Sequence, residues 1–253
     1  IAAVCGDTSL WKPSSKTPLC AIAVQNILAD VIKENDLPEG LFALIVGRGS
    51  TVGENMLNDK RLPLISITGS TRVGRRGAEV IARRFGKAIL ELGGNNAIIL
   101  TPNADLAMAM PAIVFGAVGT AGQRCTTTRR LIIHESIYDK VKESIIKAYQ
   151  GLKIGNPLDE SNHVGPLIDT GAVKDFVNAL EQINAQGGNV IYGGSVLEGG
   201  QYPSGCYVLP AVAEVENHYE IVQEETFAPI LYLIKYAGEV DQAIRLNNDV
   251  VQG

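Results

Sequence analysis

The sequence has no long apolar segment and little net charge, and each shortage excludes a class of protein. No apolar run approaches the roughly 20 residues that a membrane-spanning helix needs, and no secretory signal opens the chain. A net charge of −5 gives no attraction to a phosphate backbone, so neither nucleic acid nor a membrane is an expected partner. The 253 residues are 46% hydrophobic and 19% charged, which indicates a globular protein of one large or two modest domains.

Cysteine and histidine are also scarce. The four cysteines are Cys5, Cys20, Cys125 and Cys206. Without CxxC spacing they are too sparse for a disulfide scaffold or a zinc site, so we expect no metal and a reducing compartment such as the cytoplasm. A mitochondrial targeting segment upstream of Ile1 stays open. We expect surface or structural roles for the three histidines, which are His134, His163 and His218.

Residues 10 to 92 alternate short apolar runs with amphipathic stretches, which predicts a parallel sheet with crossover helices. Thr17 and Pro18 are expected to open the first long helix, with Thr17 as its cap. The buried stripe predicted for this helix consists of Val24, Ile27, Leu28, Val31 and Ile32. A further helix is expected from Ser70, between the strands LISIT and AILEL.

The second half repeats the alternation of strands and helices and predicts another α/β domain, with the boundary near Gly93. A helical segment begins at Asp105, and Pro111 should kink or stop it. Three glycines follow at intervals of three and would line one face if this stretch is helical; they are Gly116, Gly119 and Gly122.

Two short segments carry the chemistry, LELGGNN around Glu91 and GTAGQRCTTTRR around Cys125. A thiol nucleophile and a carboxylate base are what oxidation of an aldehyde through a covalent thioester requires. Glu91 follows an apolar strand, so we expect its carboxylate at a strand end, beside apolar neighbours. Taken alone, Cys125 could be an inert buried cysteine and Glu91 a solvent-facing residue.

An ordered series of motifs runs along the whole chain: LWKPSSKTPL, LPEG, ISITGSTRVG, LELGGNNAII, GQRC, EETFAP and IRLNN. This series resembles the aldehyde dehydrogenase superfamily. The phrases ELGGNNAI, VGTAGQRCTT and ETFAPI are most similar to its antiquitin branch, which oxidises the semialdehyde of 2-aminoadipate in lysine breakdown. The resemblance implies a Rossmann-type cofactor domain over residues 1–92 and an α/β catalytic domain over residues 93–253. It also predicts an internal fragment with both domains incomplete.

The same resemblance implies roles for individual residues. Cys125 would form a thiohemiacetal with the aldehyde, Glu91 would activate the water that hydrolyses the thioester, and Arg124 would receive the carboxylate of a semialdehyde. The residues implied to contact NAD(P) are Lys12, Gly49, Gly53, Thr68, Gly69, Ser70, Val73, Leu92, Gly93, Glu225 and Phe227. Gly47, Gly49 and Gly53 form the pattern GxGxxxG, which by itself is a weak indication of dinucleotide binding.

The sequence leaves alternatives open for both the cofactor and the activity. Many relatives that prefer NAD place a Glu where this chain has Ser15, so NAD is favoured and NADP stays possible. Five arginines could bind a phosphate but more often form a solvated helix face: Arg72, Arg75, Arg76, Arg83 and Arg84. A full-length family member is expected to form a homo-oligomer. The competing hypotheses are a truncated chain without turnover, which lacks the family's upstream oxyanion-hole Asn, and an acyl-transferring or phosphorylating dehydrogenase.

Overall fold

The computed structural model describes residues 1–252, and the chain divides into two compact units. The first unit comprises Ile1–Leu92, and the second extends from Gly93 onwards. Both are α/β, which confirms the predicted fold class. The assignment of cofactor binding to one unit and catalysis to the other stays a prediction. Within residues 1–252 no helix is both long and apolar enough to cross a membrane.

The first unit contains four strands, three α-helices and one π-helical turn. They are β1 (Ser9–Trp11), α1 (Pro18–Glu34), β2 (Phe42–Leu44), the π-helical turn Gly49–Gly53, α2 (Glu54–Asn58), β3 (Leu64–Thr68), α3 (Thr71–Arg83) and β4 (Lys87–Glu91). The pairing is parallel, as predicted, in two separate two-stranded sheets, β1 with β2 and β3 with β4. Trp11 pairs with Leu44 and Thr68 pairs with Glu91, so the predicted cofactor segments follow directly from strand ends.

Helix α1 begins at Pro18 as predicted, but the prediction of its buried residues is wrong at three of the five positions. Val24, Ile27 and Val31 are exposed, at 43%, 64% and 45%. Another face of the helix packs against β2. This face includes Ala21, which is 1% exposed, and Gln25, whose Nε2 donates to the Phe42 carbonyl at 2.9 Å. Leu28 and Ile32 continue this face and are half-buried. Thr17 is the N-cap residue, but its side chain makes no capping hydrogen bond within residues 1–252.

The second unit is built on a five-stranded sheet. Its elements are β5 (Ala97–Leu100), α4 (Leu106–Val118), β6 (Arg130–His134), α5 (Tyr138–Gln150), α6 (Thr170–Ala185), β7 (Asn189–Tyr192), β8 (Ala211–Glu214), α7 (Glu220–Gln223), β9 (Ile230–Tyr236) and α8 (Val240–Asn248), with short 3-10 turns at Gly119–Gly122 and Glu135–Ile137. The strand order is β5-β6-β9-β8-β7, and only β7 runs antiparallel to its neighbour among the described strands. Buried apolar side chains of β6 and β9 form the centre of the core, as expected for strands covered on both faces.

Helix α4 corrects two expectations about the segment before Cys125. It runs through Pro111 to Val118, so the predicted stop is wrong; Asp105 caps it by accepting from the Ala107 and Met108 amides at 3.0 and 3.3 Å. The shared glycine face is also wrong, because the chain leaves the helix at Gly119 and turns through left-handed backbone at the next positions. These are Thr120, Ala121 and Gly122, with φ of 55°, 52° and 68°.

Candidate active site

The ends of β3 and β4 bring together predicted cofactor and catalytic residues of the first unit. Thr68 and Glu91 are paired in register, and the Gly69 amide donates to the Glu91 carbonyl at 3.0 Å. Ser70 caps α3, with its hydroxyl accepting from the Val73 amide at 3.4 Å. The first turn of a capped helix favours a phosphate because its amides and its dipole face outwards there. Val73 is 45% exposed, which leaves an apolar surface for an adenine ring.

Lys12 and the glycine turn form a second group in the first unit. The Lys12 ammonium donates to the Gly47 carbonyl at 3.3 Å, and a Cβ on Gly53 would lie 3.9 Å from the Lys12 stem. A Cβ on Gly49 would meet no atom within 4 Å among the described residues, so the turn presents open backbone. The spacing GxGxxxG corresponds here to a π-helical turn leading into α2. These groups fit a ribose and a phosphate approaching the backbone closely.

The arginines of α3 have two kinds of contact. Arg76 pairs with Glu54 at 3.0 Å, and Arg72, Arg75 and Arg83 are exposed, which agrees with a solvated face. Arg84 differs, since Nε donates to the Leu57 carbonyl at 2.8 Å and Nη2 donates to the Leu62 carbonyl at 2.7 Å. That side chain therefore ties the end of α3 to the last turn of α2 and to the loop before β3. A phosphate-binding role for this run has no support in these contacts.

Glu91 and Leu92 end the first unit and differ in burial. Glu91 is exposed, so the expectation of an apolar surrounding is wrong; the whole of β4 is exposed. Leu92 lies over Gly74, where a Cβ would overlap its side chain. Gly93 begins the second unit. Because Glu91 and Cys125 belong to different units, the action of Glu91 on the Cys125 thioester stays a prediction.

Cys125 is exposed at the end of a tightly held loop. We call residues 119–125 the nucleophile loop. The Asn96 side chain donates from Nδ2 to the carbonyls of Cys125 at 2.6 Å and Thr127 at 3.0 Å, and the Arg124 backbone N–H donates to the Thr127 hydroxyl at 3.2 Å. Left-handed backbone at a non-glycine residue costs roughly 1–2 kcal/mol, so Thr120 and Ala121 store strain here. The loop thus presents a thiol on backbone fixed from both sides.

Arg124 lines an open groove of the second unit with a volume of about 610 Å³. Its Nε donates to the Thr120 hydroxyl at 2.7 Å, and its guanidinium lies 5.3 Å from the centre of the Phe115 ring. The apolar lining comes mainly from α4 and includes Met110, Val114, Phe115 and Val118. One guanidinium at the edge of an apolar groove suits a ligand with an aliphatic chain and a carboxylate end.

Glu225 and Phe227 lie in residues 224–229, which we call the carboxylate segment. The Gly94 amide donates to Glu225 Oε1 at 3.3 Å, and a Cβ on Gly93 would overlap this carboxylate. Phe227 is 46% exposed, as a ring that borders a ligand would be. The structure therefore brings the diglycine after Leu92 into contact with Glu225, although the two lie far apart in the sequence.

Sequence reasoning missed Arg129, which is 1% exposed and pairs with Glu225 at 3.2 Å. It also missed Asn96 and Thr120, which hold the nucleophile loop. The available signal was two consecutive arginines opening the apolar strand RLIIH, since buried arginines need several acceptors. Residues 1–252 contain no group of three or more His, Cys, Asp or Glu that could hold a metal ion.

Comparison with known proteins identifies the family. The model of the aldehyde dehydrogenase family matches residues 1–253. The chain is 46% identical over 253 residues to aldehyde dehydrogenase family 7 member A1 of Pisum sativum, a match that covers 100% of this chain and 49% of that protein. It is 46% identical over 254 residues to the alpha-aminoadipic semialdehyde dehydrogenase of Bos taurus, with 100% and 46% covered.

The fold is also that of a solved structure. Betaine aldehyde dehydrogenase from Staphylococcus aureus in complex with NAD+ superposes with a TM-score of 0.92 at 31% identity, over 96% of this chain and 48% of that chain. The chain spans about half the length of the relatives that it matches. By sequence and by fold, the chain belongs to the aldehyde dehydrogenase family.

Proposed function

We propose that this chain carries the nucleophile, the base and the cofactor contacts of an enzyme that oxidises an aldehyde to a carboxylic acid with NAD. One observation supports this most strongly: Cys125 is exposed on a fixed loop, and the residue before it in the chain, Arg124, lines an apolar groove. A thiol that is accessible while its backbone is immobilised suits a nucleophile better than a packing residue.

The proposed steps begin at the thiol. The Cys125 sulfur attacks the aldehyde carbon, a C–S bond forms, and the carbonyl oxygen takes a proton to give a thiohemiacetal. That carbon then loses a hydride and its hydroxyl loses a proton to solvent, which leaves a thioester on Cys125; bound NAD would supply the hydride acceptor. Glu91 then takes a proton from water, the water oxygen attacks the thioester carbon, and cleavage of the C–S bond releases the acid and regenerates Cys125. Since Glu91 supplies a base for water, hydrolysis is favoured over acyl transfer.

NAD is the cofactor that this chain fits. Lys12 would bind the adenosine ribose, and the amides at the Ser70 cap would bind a phosphate. Val73 would pack against the adenine, and Glu225 would bind the nicotinamide ribose. Solved relatives are crystallised with NAD+ or with NADP, so they support a nicotinamide dinucleotide without choosing between the two. Ser15 in place of a Glu removes one repulsion towards a 2′-phosphate, so NADP is the competing ligand in a binding test.

A semialdehyde with a carboxylate or amino-acid end is the proposed substrate, with 2-aminoadipate semialdehyde as the leading compound. Arg124 can bind a carboxylate through two parallel hydrogen bonds, and the groove lined by α4 can take the aliphatic chain. The name of the Bos taurus relative supports the same substrate class.

We propose a cytoplasmic location and a homo-oligomer for the whole protein.

The test measures NADH formation from 2-aminoadipate semialdehyde and NAD by the purified protein, with Cys125→Ser as the inactive control. Cofactor binding is followed separately through Trp11, the single tryptophan of the chain, which is 42% exposed beside Lys12. NADH formation that depends on Cys125 supports the proposal. NAD binding without NADH formation favours the truncated chain without turnover, and a thioester that reacts with an added thiol but not with water favours acyl transfer.

A further inference from the structure

A single buried guanidinium contacts both segments that carry the proposed chemistry of the second unit. Arg129 lies two residues after Thr127 and directly before β6, and its side chain is 1% exposed. It lies between the nucleophile loop and the carboxylate segment. The resemblance to the family implies no role for Arg129.

The donors of Arg129 are divided between the two segments. Towards the nucleophile loop, Nη1 and Nη2 donate to the Gly122 carbonyl, each at 3.3 Å, and Nη2 donates to the Arg124 carbonyl at 3.2 Å. A planar fork with fixed donors suits several acceptors held at set angles. The carbonyls that it fixes lie within the nucleophile loop, just before the thiol.

Towards the carboxylate segment, the same fork reaches three more acceptors. Nη2 donates to Glu225 Oε1 at 3.2 Å, and Nη1 donates to the carbonyls of Thr226 at 2.6 Å and Ala228 at 3.3 Å. The guanidinium also lies 5.4 Å from the centre of the Phe227 ring. Every residue from Glu225 to Ala228 therefore contacts Arg129.

The charge of Arg129 needs a partner at this depth. Burial lowers the pKa of Arg129, and the neighbouring Glu225 carboxylate opposes that shift. Removing one member of a buried ion pair leaves the other uncompensated, so the orientation of Glu225 and the charge of Arg129 depend on each other. The Gly94 amide donates to the same Oε1 and completes the restraint.

We propose that Arg129 is a positioning residue that holds Glu225 in the orientation for binding the nicotinamide ribose and fixes it to the nucleophile loop. The inference rests on the proposed function, because it requires Glu225 to bind the cofactor. Arg129 acts through Glu225 and through backbone carbonyls, without contact to the aldehyde.

The chain supplies a matched control at the next position. Arg130 is also 1% exposed, but its donors reach the Asn95 carbonyl, the Asn217 side chain and the carbonyls of Leu246 and Asn247. None of these acceptors belongs to the nucleophile loop or the carboxylate segment. Arg130→Lys therefore reports what an altered buried arginine costs the fold alone.

The experiment measures the Kd for NAD by calorimetry for the unmodified protein, Arg129→Lys, Arg130→Lys, Glu225→Gln and the double variant Arg129→Lys/Glu225→Gln. Loss of charged hydrogen bonds predicts NAD binding weaker by about 10- to 100-fold in Arg129→Lys. Arg130→Lys should stay within about twofold of the unmodified protein. The double variant should bind NAD about as weakly as Glu225→Gln, because the two residues act as a unit.

Four results would overturn the proposal, and they separate failure of the proposed function from failure of the positioning role alone. If the unmodified protein does not bind NAD, the proposed function fails and this inference fails with it. If the unmodified protein binds NAD and Arg129→Lys binds equally well, or if both arginine variants weaken binding alike, only the positioning role fails. Should Arg129→Lys not fold, a crystal structure of the unmodified protein with NAD decides: Arg129 Nη2 must remain hydrogen-bonded to a Glu225 that touches the ribose, and a broken pair refutes the role.

Discussion

Replacing Gly122 with alanine tests how closely the nucleophile loop packs on the carboxylate segment. Gly122 has a φ of 68°, and a Cβ there would lie 2.5 Å from both the Ala228 carbonyl carbon and the Pro229 nitrogen. The left-handed backbone alone costs an alanine roughly 1–2 kcal/mol. Overpacking against backbone that cannot rotate away adds about 1–3 kcal/mol. We therefore expect Gly122→Ala to lower the free energy of unfolding by about 2–5 kcal/mol.

Gly205 supplies the matched control. Its φ is 63°, but a Cβ there would meet no described atom within 4 Å. Gly205→Ala should therefore lose only the backbone contribution of about 1–2 kcal/mol. Urea unfolding followed by circular dichroism gives both values. Equal losses in the two variants would refute the close approach of the two segments, because the steric contribution would then be absent.

Three further changes test the surroundings of the site. Thr120→Ala removes the acceptor of Arg124 Nε, so KM should rise several-fold for a semialdehyde that carries a carboxylate and not for a neutral aldehyde; equal effects on both would contradict the role of Arg124. Asp105→Ala removes the cap of α4 and should lower stability by about 1 kcal/mol in thermal unfolding, whereas Asp105→Asn should retain most of it. Phe85 is 98% exposed with a φ of 58°, so Phe85→Gly should raise stability by about 1 kcal/mol, and an unchanged melting temperature would contradict this.

Elements that follow from local chemistry could be predicted from the sequence. Ser70 and Asp105 are capping residues before segments with a helical pattern, and both helices begin where their caps indicate. Parallel pairing followed from the alternation of strands and helices. The stripe of α1 could not be obtained in this way, because several apolar faces compete and contact with β2 selects the one through Ala21 and Gln25.

In the candidate site, too, local motifs were predictable from the sequence and contacts between distant residues were not. Cys125 and Glu225 were found because their motifs are contiguous, whereas Arg129 acts through contacts with residues such as Thr226 that are distant in the sequence. No local pattern encodes such contacts. The left-handed turn at Thr120 and Ala121 was missed because neither residue type favours that backbone, and only the packing around the loop enforces it.

The most direct test of the account is a single-turnover experiment with Glu91→Gln. We expect this variant, given aldehyde and NAD, to release about one NADH per chain and to retain an acyl group on Cys125, because hydride transfer precedes the step that needs the base. Intact mass measurement followed by peptide mapping locates the acyl group. Steady release of free acid at the unmodified rate, or a chain that carries no acyl group on Cys125, would contradict the account.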